Sequence, residues 1–257
     1  MKLLATSLSL AALLLGAATA SAQTTFRLGL RAGVNRALTT QAAAGNYSES
    51  GGTYSITYTA DKSAIYAWQA GAVFEVSFGK LSLQPAVVFS QKGETAHTSI
   101  YSKSIGYYYY NQSDKTSTNR YNWLEVPINV VYTTHGDHGL QLFAGPYVAF
   151  GIGGRQTGTQ SYNSSGVIGP QSYPIDEQIS YGADTNNKRL DMGLNFGLGY
   201  RQGPLQVQLG YGLGLLTLHR ASPPTIDPGF SPQYHDFNGD PAYNHVAQLT
   251  GTYFFSL

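Results

Sequence analysis

The sequence lacks cysteine and is poor in charge. None of its 257 residues is Cys, and only 11% are Asp, Glu, Lys or Arg. The missing thiols exclude disulfide bonds, thiolate metal sites and lipid attachment through a cysteine. The sequence also contains no segment whose helical hydrophobic periodicity is as strong as the strand alternation described below. Stability must therefore come from a β-structure without covalent cross-links.

The first 22 residues have the pattern of an export signal. Lys2 is followed by a short apolar run from Leu3 to Ala18, and Ala20-Ser21-Ala22 fits a small-x-small cleavage site before Gln23. The run is too short for a spanning helix, which needs about 20 apolar residues. We expect residues 1–22 to be a cleaved signal peptide and residues 23–257 to form one β-domain. Removing Lys2 leaves 14 basic and 14 acidic residues, and this balance argues against a nucleic-acid partner.

Strict alternation of apolar and polar residues occurs eight times and predicts eight strands with one apolar and one polar face. In the first segment Phe26, Leu28 and Leu30 alternate with Arg27, Gly29 and Arg31. We call the alternate positions of a segment that carry its apolar residues the apolar parity, and the positions between them the polar parity. No charged residue of the eight segments has the apolar parity. Those on the polar parity are Arg27, Arg31, Glu75, Lys92, Glu125, Arg189, Asp191 and Arg201. A surface that faces lipid must exclude charge in this way.

The connections between the segments alternate between long and short. They span about 30, 2, 28, 6, 34, 3 and 26 residues, and this is the pattern of transmembrane barrels with short periplasmic turns. Gly79-Lys80 predicts a two-residue hairpin turn with glycine first. The predicted fold class is therefore all-β: a transmembrane up-and-down antiparallel β-barrel of eight strands with long extracellular loops. The expected location is the outer membrane of a Gram-negative bacterium.

Closing eight strands leaves an interior that side chains fill, so we expect a polar network there instead of a wide pore. Its predicted members are Arg27, Arg31, Glu75, Gln84, Glu125, Asn129, Asp191, Asn195 and Gln208. Aromatic residues of the apolar parity should form two girdles at the membrane interfaces. The periplasmic girdle is Phe26, Phe78, Tyr132, Tyr200 and Phe255; the outer girdle is Tyr66, Trp68, Phe89 and Phe150. Inward glycines near Gly193 and Gly210 either relieve crowding or leave a small cleft.

Several stretches of the sequence resemble the PorT-like family of outer-membrane β-barrel proteins. They are Leu28 to Asn35, Leu83-Gln84-Pro85, Ser90-Gln91-Lys92-Gly93, Asn122 to Pro127 and Gly145-Pro146-Tyr147. The resemblance spans nearly the whole mature chain and implies an outer-membrane barrel. The namesake of the family is linked to protein secretion and gliding, so the resemblance also implies an accessory role in secretion as one alternative.

Residues that could carry chemistry are scattered over the predicted loops. Glu94, His97 and Ser99 follow the third segment, while His219, His235 and Asp236 lie in the last long connection. His135 and His138 have a spacing that is weak for a metal site without further ligands. A hydrolytic site needs a nucleophile, a base and an orienting acid within reach of one another, and no motif fixes that geometry. We expect no enzyme activity, no metal and no cofactor.

The predicted loops are rich in Tyr, Ser, Asn and Gly, a mixture that is typical of adaptable binding surfaces. Candidate binding residues are Tyr107, Tyr108, Tyr109 and Tyr110. Solvated loops, or extensions of the sheet above the membrane, are the plainer interpretation. The leading hypothesis is a non-enzymatic barrel with a structural or surface-binding role. The alternatives are a narrow or gated porin-like passage for small solutes and the secretion role. Candidate partners are outer-membrane lipid, other cell-envelope proteins and surface ligands.

Overall fold

The computed structural model describes residues 24–41, 46–51, 54–104, 109–166, 169–182, 185, 187–219 and 242–256. The predicted signal peptide over residues 1–22 lies outside the described residues, so it stays a prediction. In the described ranges no helix is long and apolar enough to cross a membrane.

Ten strands are present in the described part of the chain, and all of them belong to one sheet. They are β1 (Thr25–Gln41), β2 (Asn46–Gly51), β3 (Tyr54–Phe78), β4 (Leu81–Ser104), β5 (Tyr110–Thr133), β6 (His138–Ser164), β7 (Gln171–Ile179), β8 (Leu190–Gln202), β9 (Leu205–Gly214) and β10 (Ala242–Ser256).

Eight of these strands close into a ring. Each of β3, β4, β5, β6, β8, β9 and β10 pairs antiparallel with the next, and β1 closes the ring by pairing with both β3 and β10. The register of the closure is continuous, with Leu30 opposite Ala72 on one side and Tyr253 on the other. The predicted eight-stranded, up-and-down antiparallel barrel is confirmed. The other two strands, β2 and β7, pair with the far ends of β3 and β6.

Three tight turns join the strands at one end of the barrel. The β3–β4 connection is the predicted two-residue turn, in which Phe78 is opposite Leu81 and Gly79 has a φ of 71°. The other two turns lie at residues 134–137 and 203–204. Glycine supplies the positive φ that such tight hairpins require.

The opposite end of the barrel differs from the predicted long loops. Strands β3 to β6 continue for about ten residues beyond the alternating segments, and β2 and β7 add an edge strand on each side. We call this extension the wall: β2, β7 and residues 54–63, 95–104, 110–119 and 155–164. Alternation disappears there because water reaches both faces, although the backbone pairing continues. The interpretation of sheet extension, left open above, is therefore correct for these segments.

The outward face of the ring is apolar and exposed. Most residues of the apolar parity, from Phe26 and Leu28 on β1 to Tyr253 and Phe255 on β10, have large apolar side chains that are exposed. The buried side chains are instead mostly polar, and they include Asn35, Glu75, Lys92, Asp191 and Arg201. The polarity of the buried and exposed side chains is thus the reverse of that in a soluble protein, and it requires an apolar environment outside the ring.

The inward glycines relieve crowding. A Cβ at Gly193 would lie 2.6 Å from the Tyr147 ring, and a Cβ at Gly197 or Gly210 would lie 2.8 or 2.9 Å from the Phe143 ring. These two large aromatic side chains enter the barrel because the facing strands carry no side chain at those positions.

Candidate functional site: the enclosed polar interior and its mouth

The interior near the turns is organised around one carboxylate. Arg201 donates to Glu75 Oε1 through Nη1 at 2.6 Å, and Arg27 donates to Oε2 through Nη1 at 3.2 Å. Gln84 also donates to Oε1, at 2.9 Å, and is hydrogen-bonded in turn to Gln206. The Arg201 guanidinium lies 4.7 Å from the centre of the Phe254 ring. We call this set the lower cluster; it joins six of the eight ring strands through their side chains.

A further cationic side chain lies in the middle of the barrel. Arg31 donates to Thr252 Oγ1 at 3.2 Å and to Gln208 Oε1 at 3.1 Å. A cavity of about 20 Å³ opens beside it, and its lining includes Arg31, Glu125, Asn129, Asn195 and Gln208. This volume is close to that of a single water molecule. The middle of the barrel is thus filled by side chains in the described structure.

The upper cluster is built on a lysine between two acids. Lys92 Nζ lies 2.7 Å from Glu125 Oε2 and 3.9 Å from Asp191 Oδ2. Asp191 Oδ2 also accepts hydrogen bonds from Tyr147 at 3.1 Å and Asn244 at 2.8 Å. Lys92 in addition lies 4.6 Å from the centre of the Tyr147 ring. Buried charges of both signs are paired here, as enclosure away from water requires.

An aromatic layer covers the upper cluster at the mouth of the barrel. Tyr121, Trp123, Tyr147, Ala149 and Leu218 form one buried cluster, with Ile179 and Tyr181 packed against it. Tyr181 and Leu218 come from the two connections that flank β8 and β9, so segments outside the ring help to close it. The Tyr181 ring lies 5.6 Å from the Trp123 ring, and a Cβ at Gly151 would clash with it. The mouth is therefore covered by side chains.

His219 stands beside this layer, above the membrane-spanning strands. It follows Leu218 and forms an isolated β-bridge with Asn187. Burial lowers the pKa of the His219 imidazole, and the positive charges of Lys62 and Lys188 lower it further. His219 is therefore neutral at neutral pH.

The nine residues predicted for the interior network all have side chains inside the ring. Eight are buried, and Arg27 at the turn end is half-buried. The prediction did not include Lys92 and Arg201 among the network residues, although both have the polar parity. It also missed Trp123, whose inward parity on β5 could have been found by continuing the alternation one residue beyond Leu124. No periodic signal marks Tyr181 or Leu218, because both lie outside regular strands.

The predicted girdle residues lie on the outward face of the ring. All are exposed except Phe89, which is half-buried because it stacks on Trp68 with ring centres 4.8 Å apart. Of the candidate loop tyrosines, Tyr107 and Tyr108 lie outside the described residues. Tyr109 and Tyr110 lie at the tip of the wall, where Tyr110 stacks on Tyr101.

The residues considered for chemistry do not come together. Glu94 is buried and accepts a hydrogen bond from Asn119, whereas His97 is exposed on the opposite face of the sheet and contacts Thr116. His235 and Asp236 lie outside the described residues. The rings of His135 and His138 stack in a turn, but within the described ranges no three His, Asp or Glu residues are grouped to hold a metal ion.

A family model for the outer membrane protein beta-barrel domain matches residues 21–220. The chain belongs to this family. For this outer-membrane barrel the tight turns are periplasmic, the wall is extracellular, and the exposed apolar band contacts lipid. The matched range covers the strands that supply the lower and upper clusters, apart from those residues contributed by β10. None of the curated proteins compared with the chain matches it.

Proposed function

We propose that this outer-membrane barrel is non-enzymatic and has a surface-binding role, which its extracellular wall carries. The support is an imbalance between its two ends. At the periplasmic end short turns cap the ring, whereas at the extracellular end β3 to β6 rise about ten residues above the lipid band. At about 3.3 Å per residue the wall projects about 30 Å. A barrel with only a structural role in the membrane has no need for such an extension.

The tip of the wall carries the aromatic rings that favour binding. Tyr109 is 56% exposed, and beside it Tyr101 and Tyr110 stack with ring centres 6.4 Å apart. The Tyr110 hydroxyl donates to Asn163 Oδ1 of the next strand at 3.4 Å. Tyrosine offers a large contact area at little cost in conformational entropy, and rings held on paired strands are already ordered before binding.

The interior favours this role over the passage for small solutes. The cavity beside Arg31 has a volume of about 20 Å³, and the aromatic layer with Trp123 and Tyr181 lies above it. A passage would require both Tyr181 and the paired charges of the upper cluster to move. We therefore expect purified protein in planar bilayers to give no reproducible conductance steps. Regular steps, enlarged when Tyr181→Ala removes the covering ring, would support the passage instead.

The binding role is tested with purified protein in detergent on glycan and peptide arrays. The tip variant is Tyr109→Ser with Tyr110→Ser. The matched control is Tyr162→Ser with Tyr173→Ser, because that pair also makes a ring contact on the wall but lies below the tip. We expect components that bind the natural protein to be lost with the tip variant and kept with the control. Binding that is equal for all three proteins, or no binding on either array, contradicts the proposed role of the tip.

A further inference from the structure

At the level of the outer girdle, a row of arginines crosses the outward face of the barrel. Arg36 on β1 is opposite Tyr66 on β3, and Arg120 on β5 is opposite both Gly93 on β4 and Arg155 on β6. We call Arg36, Arg120 and Arg155 the arginine row. Arg36 comes two residues after Val34, the last exposed apolar residue on the outward face of β1, so it lies about 7 Å further along the strand.

Arg120 is held flat against the sheet. Its Nη1 donates to the backbone oxygen of Tyr66 at 3.0 Å and lies 3.5 Å from Gln91 Oε1. To reach Tyr66 from β5, the side chain must cross β4, and Gly93 is the residue of β4 that is paired with it. The missing side chain at Gly93 leaves the path free. The guanidinium is thus fixed beside the backbone of Tyr66, whose other neighbour is Arg36.

Among the described residues, only one of the three charges of the row has an acidic partner. Like charges directly opposite each other on paired strands are destabilising, and Arg120 and Arg155 are such a pair. Arg155 is compensated by Asp176, which accepts from Nε and Nη2 at 2.6 Å each. Among the described residues, Arg120 has only a carbonyl and an amide oxygen as partners, and Arg36 has no hydrogen-bond or ion-pair partner. Within the part of the chain that the structure describes, two of the three guanidinium groups therefore lack an anion.

We propose that the arginine row binds phosphate groups of the phosphorylated glycolipid in the outer leaflet. The row lies at headgroup height, directly continuous with the surface that contacts the acyl chains. Arginine binds phosphate through two parallel N–H donors, and its weak hydration suits the membrane interface. A phosphate between Arg36 and Arg120 supplies the anion that both lack. This site does not depend on what the tip of the wall binds.

The test measures binding of the phosphorylated glycolipid, and of the same lipid with its phosphates removed, to the full chain in neutral detergent micelles. The variants are Arg36→Gln and Arg120→Gln. A basic residue near an anionic membrane surface contributes about 1 kcal/mol, which corresponds to about fivefold in affinity. We expect each substitution to weaken binding of the phosphorylated lipid by about fivefold and to leave binding of the phosphate-free lipid unchanged.

Lys103→Gln is the matched control, because Lys103 lies on the same strand as Gly93 but about 33 Å further from the lipid. It should bind like the natural protein. Arg36→Gln removes no contact with the described residues, so a loss with this variant is not a folding defect. Equal affinity of the natural protein for the two lipids, or a loss with Lys103→Gln as large as with Arg36→Gln, overturns the proposal.

Discussion

Two ion pairs of the same length stand in opposite surroundings in the barrel and the wall. Arg201 and Glu75 approach to 2.6 Å inside the barrel, with side chains 2% and 0% exposed. Arg155 and Asp176 approach to 2.6 Å on the wall, with side chains 64% and 56% exposed. Water screens the second pair but not the first. Distance alone therefore does not determine how much a charge pair contributes to stability in this molecule. That contribution depends on the side of the sheet and on the height at which the pair lies.

The difference in exposure to water also determines the sequence pattern in the barrel and in the wall. In the barrel, one face of every strand meets lipid and the other is enclosed, so outward positions exclude charge and inward charges need partners inside the ring. On the wall, both faces meet water, so Thr95 bonds to Thr118 and His97 to Thr116 without any apolar alternation. Substitutions should therefore be costly in the barrel and mild on the wall.

The largest expected effect is that of Glu75→Gln. The substitution leaves Arg201 and Arg27 facing a neutral amide inside the barrel, and breaking a buried charge pair costs about 3 to 5 kcal/mol. The measurement is the free energy of unfolding in urea from detergent micelles or lipid vesicles. Asp176→Asn, which breaks the wall pair at equal length, is the matched control and should leave that free energy nearly unchanged. Equal losses for the two variants would remove the distinction between the regions.

A smaller effect is expected from adding one methyl group inside the barrel. In Gly197→Ala the new Cβ would lie 2.2 Å from the Leu209 carbonyl oxygen and 2.8 Å from the Phe143 ring, so a strand must shift. Such overpacking costs about 1 to 3 kcal/mol in the same unfolding measurement. Gly251→Ala is the control, since a Cβ at Gly251 meets nothing within 4 Å. A loss with Gly251→Ala as large as with Gly197→Ala contradicts the packed interior.

The barrel could be predicted from the sequence because it obeys a single rule. Alternation gave the parity of Arg31, Glu75 and Asp191, and burial on that parity follows from closing the ring. The ion-pair and hydrogen-bond partners of these residues could not be predicted from alternation, because Glu75 and Arg201 are 126 positions apart in the chain. The parity rule contains no information about which inward residues share a level.

Extension of the sheet was one of the interpretations of the loops, but the strands of the wall and the contacts at the mouth could not be located from the sequence, for different reasons. The wall has no alternation to detect, and its Ser, Thr and Tyr residues also suit loops, so β7 could not be told from a connection. At the mouth, Tyr181 and Leu218 lie in irregular segments, and their contact with Trp123 depends on where those segments fold back. The periodicity rules for strands cannot predict contacts between irregular segments.

The smallest expected effect concerns pH at the mouth. The folded-state pKa of His219 is lowered below its ordinary value of 6.5, so protons bind more readily to the open form. Closure is therefore fully stable above about pH 6.5 and weakens as the pH falls below it. Trp68→Phe leaves Trp123 as the single tryptophan reporter. We expect a soluble quencher to reach Trp123 more easily at pH 5 than at pH 7.5, and His219→Gln to remove that difference. Quenching that is independent of pH, or a pH dependence that His219→Gln leaves unchanged, contradicts the assignment of this pH dependence to His219.

The most direct test of the whole account uses two single cysteines on one face of β5, in a chain that has none of its own. Leu124 and Thr116 have the same outward parity, eight residues apart, and the account places Leu124 in lipid and Thr116 on the extracellular wall. On intact cells, a membrane-impermeant maleimide should label Thr116→Cys rapidly and leave Leu124→Cys unlabelled. Equal labelling of both positions would contradict the assignment of the apolar band to the membrane.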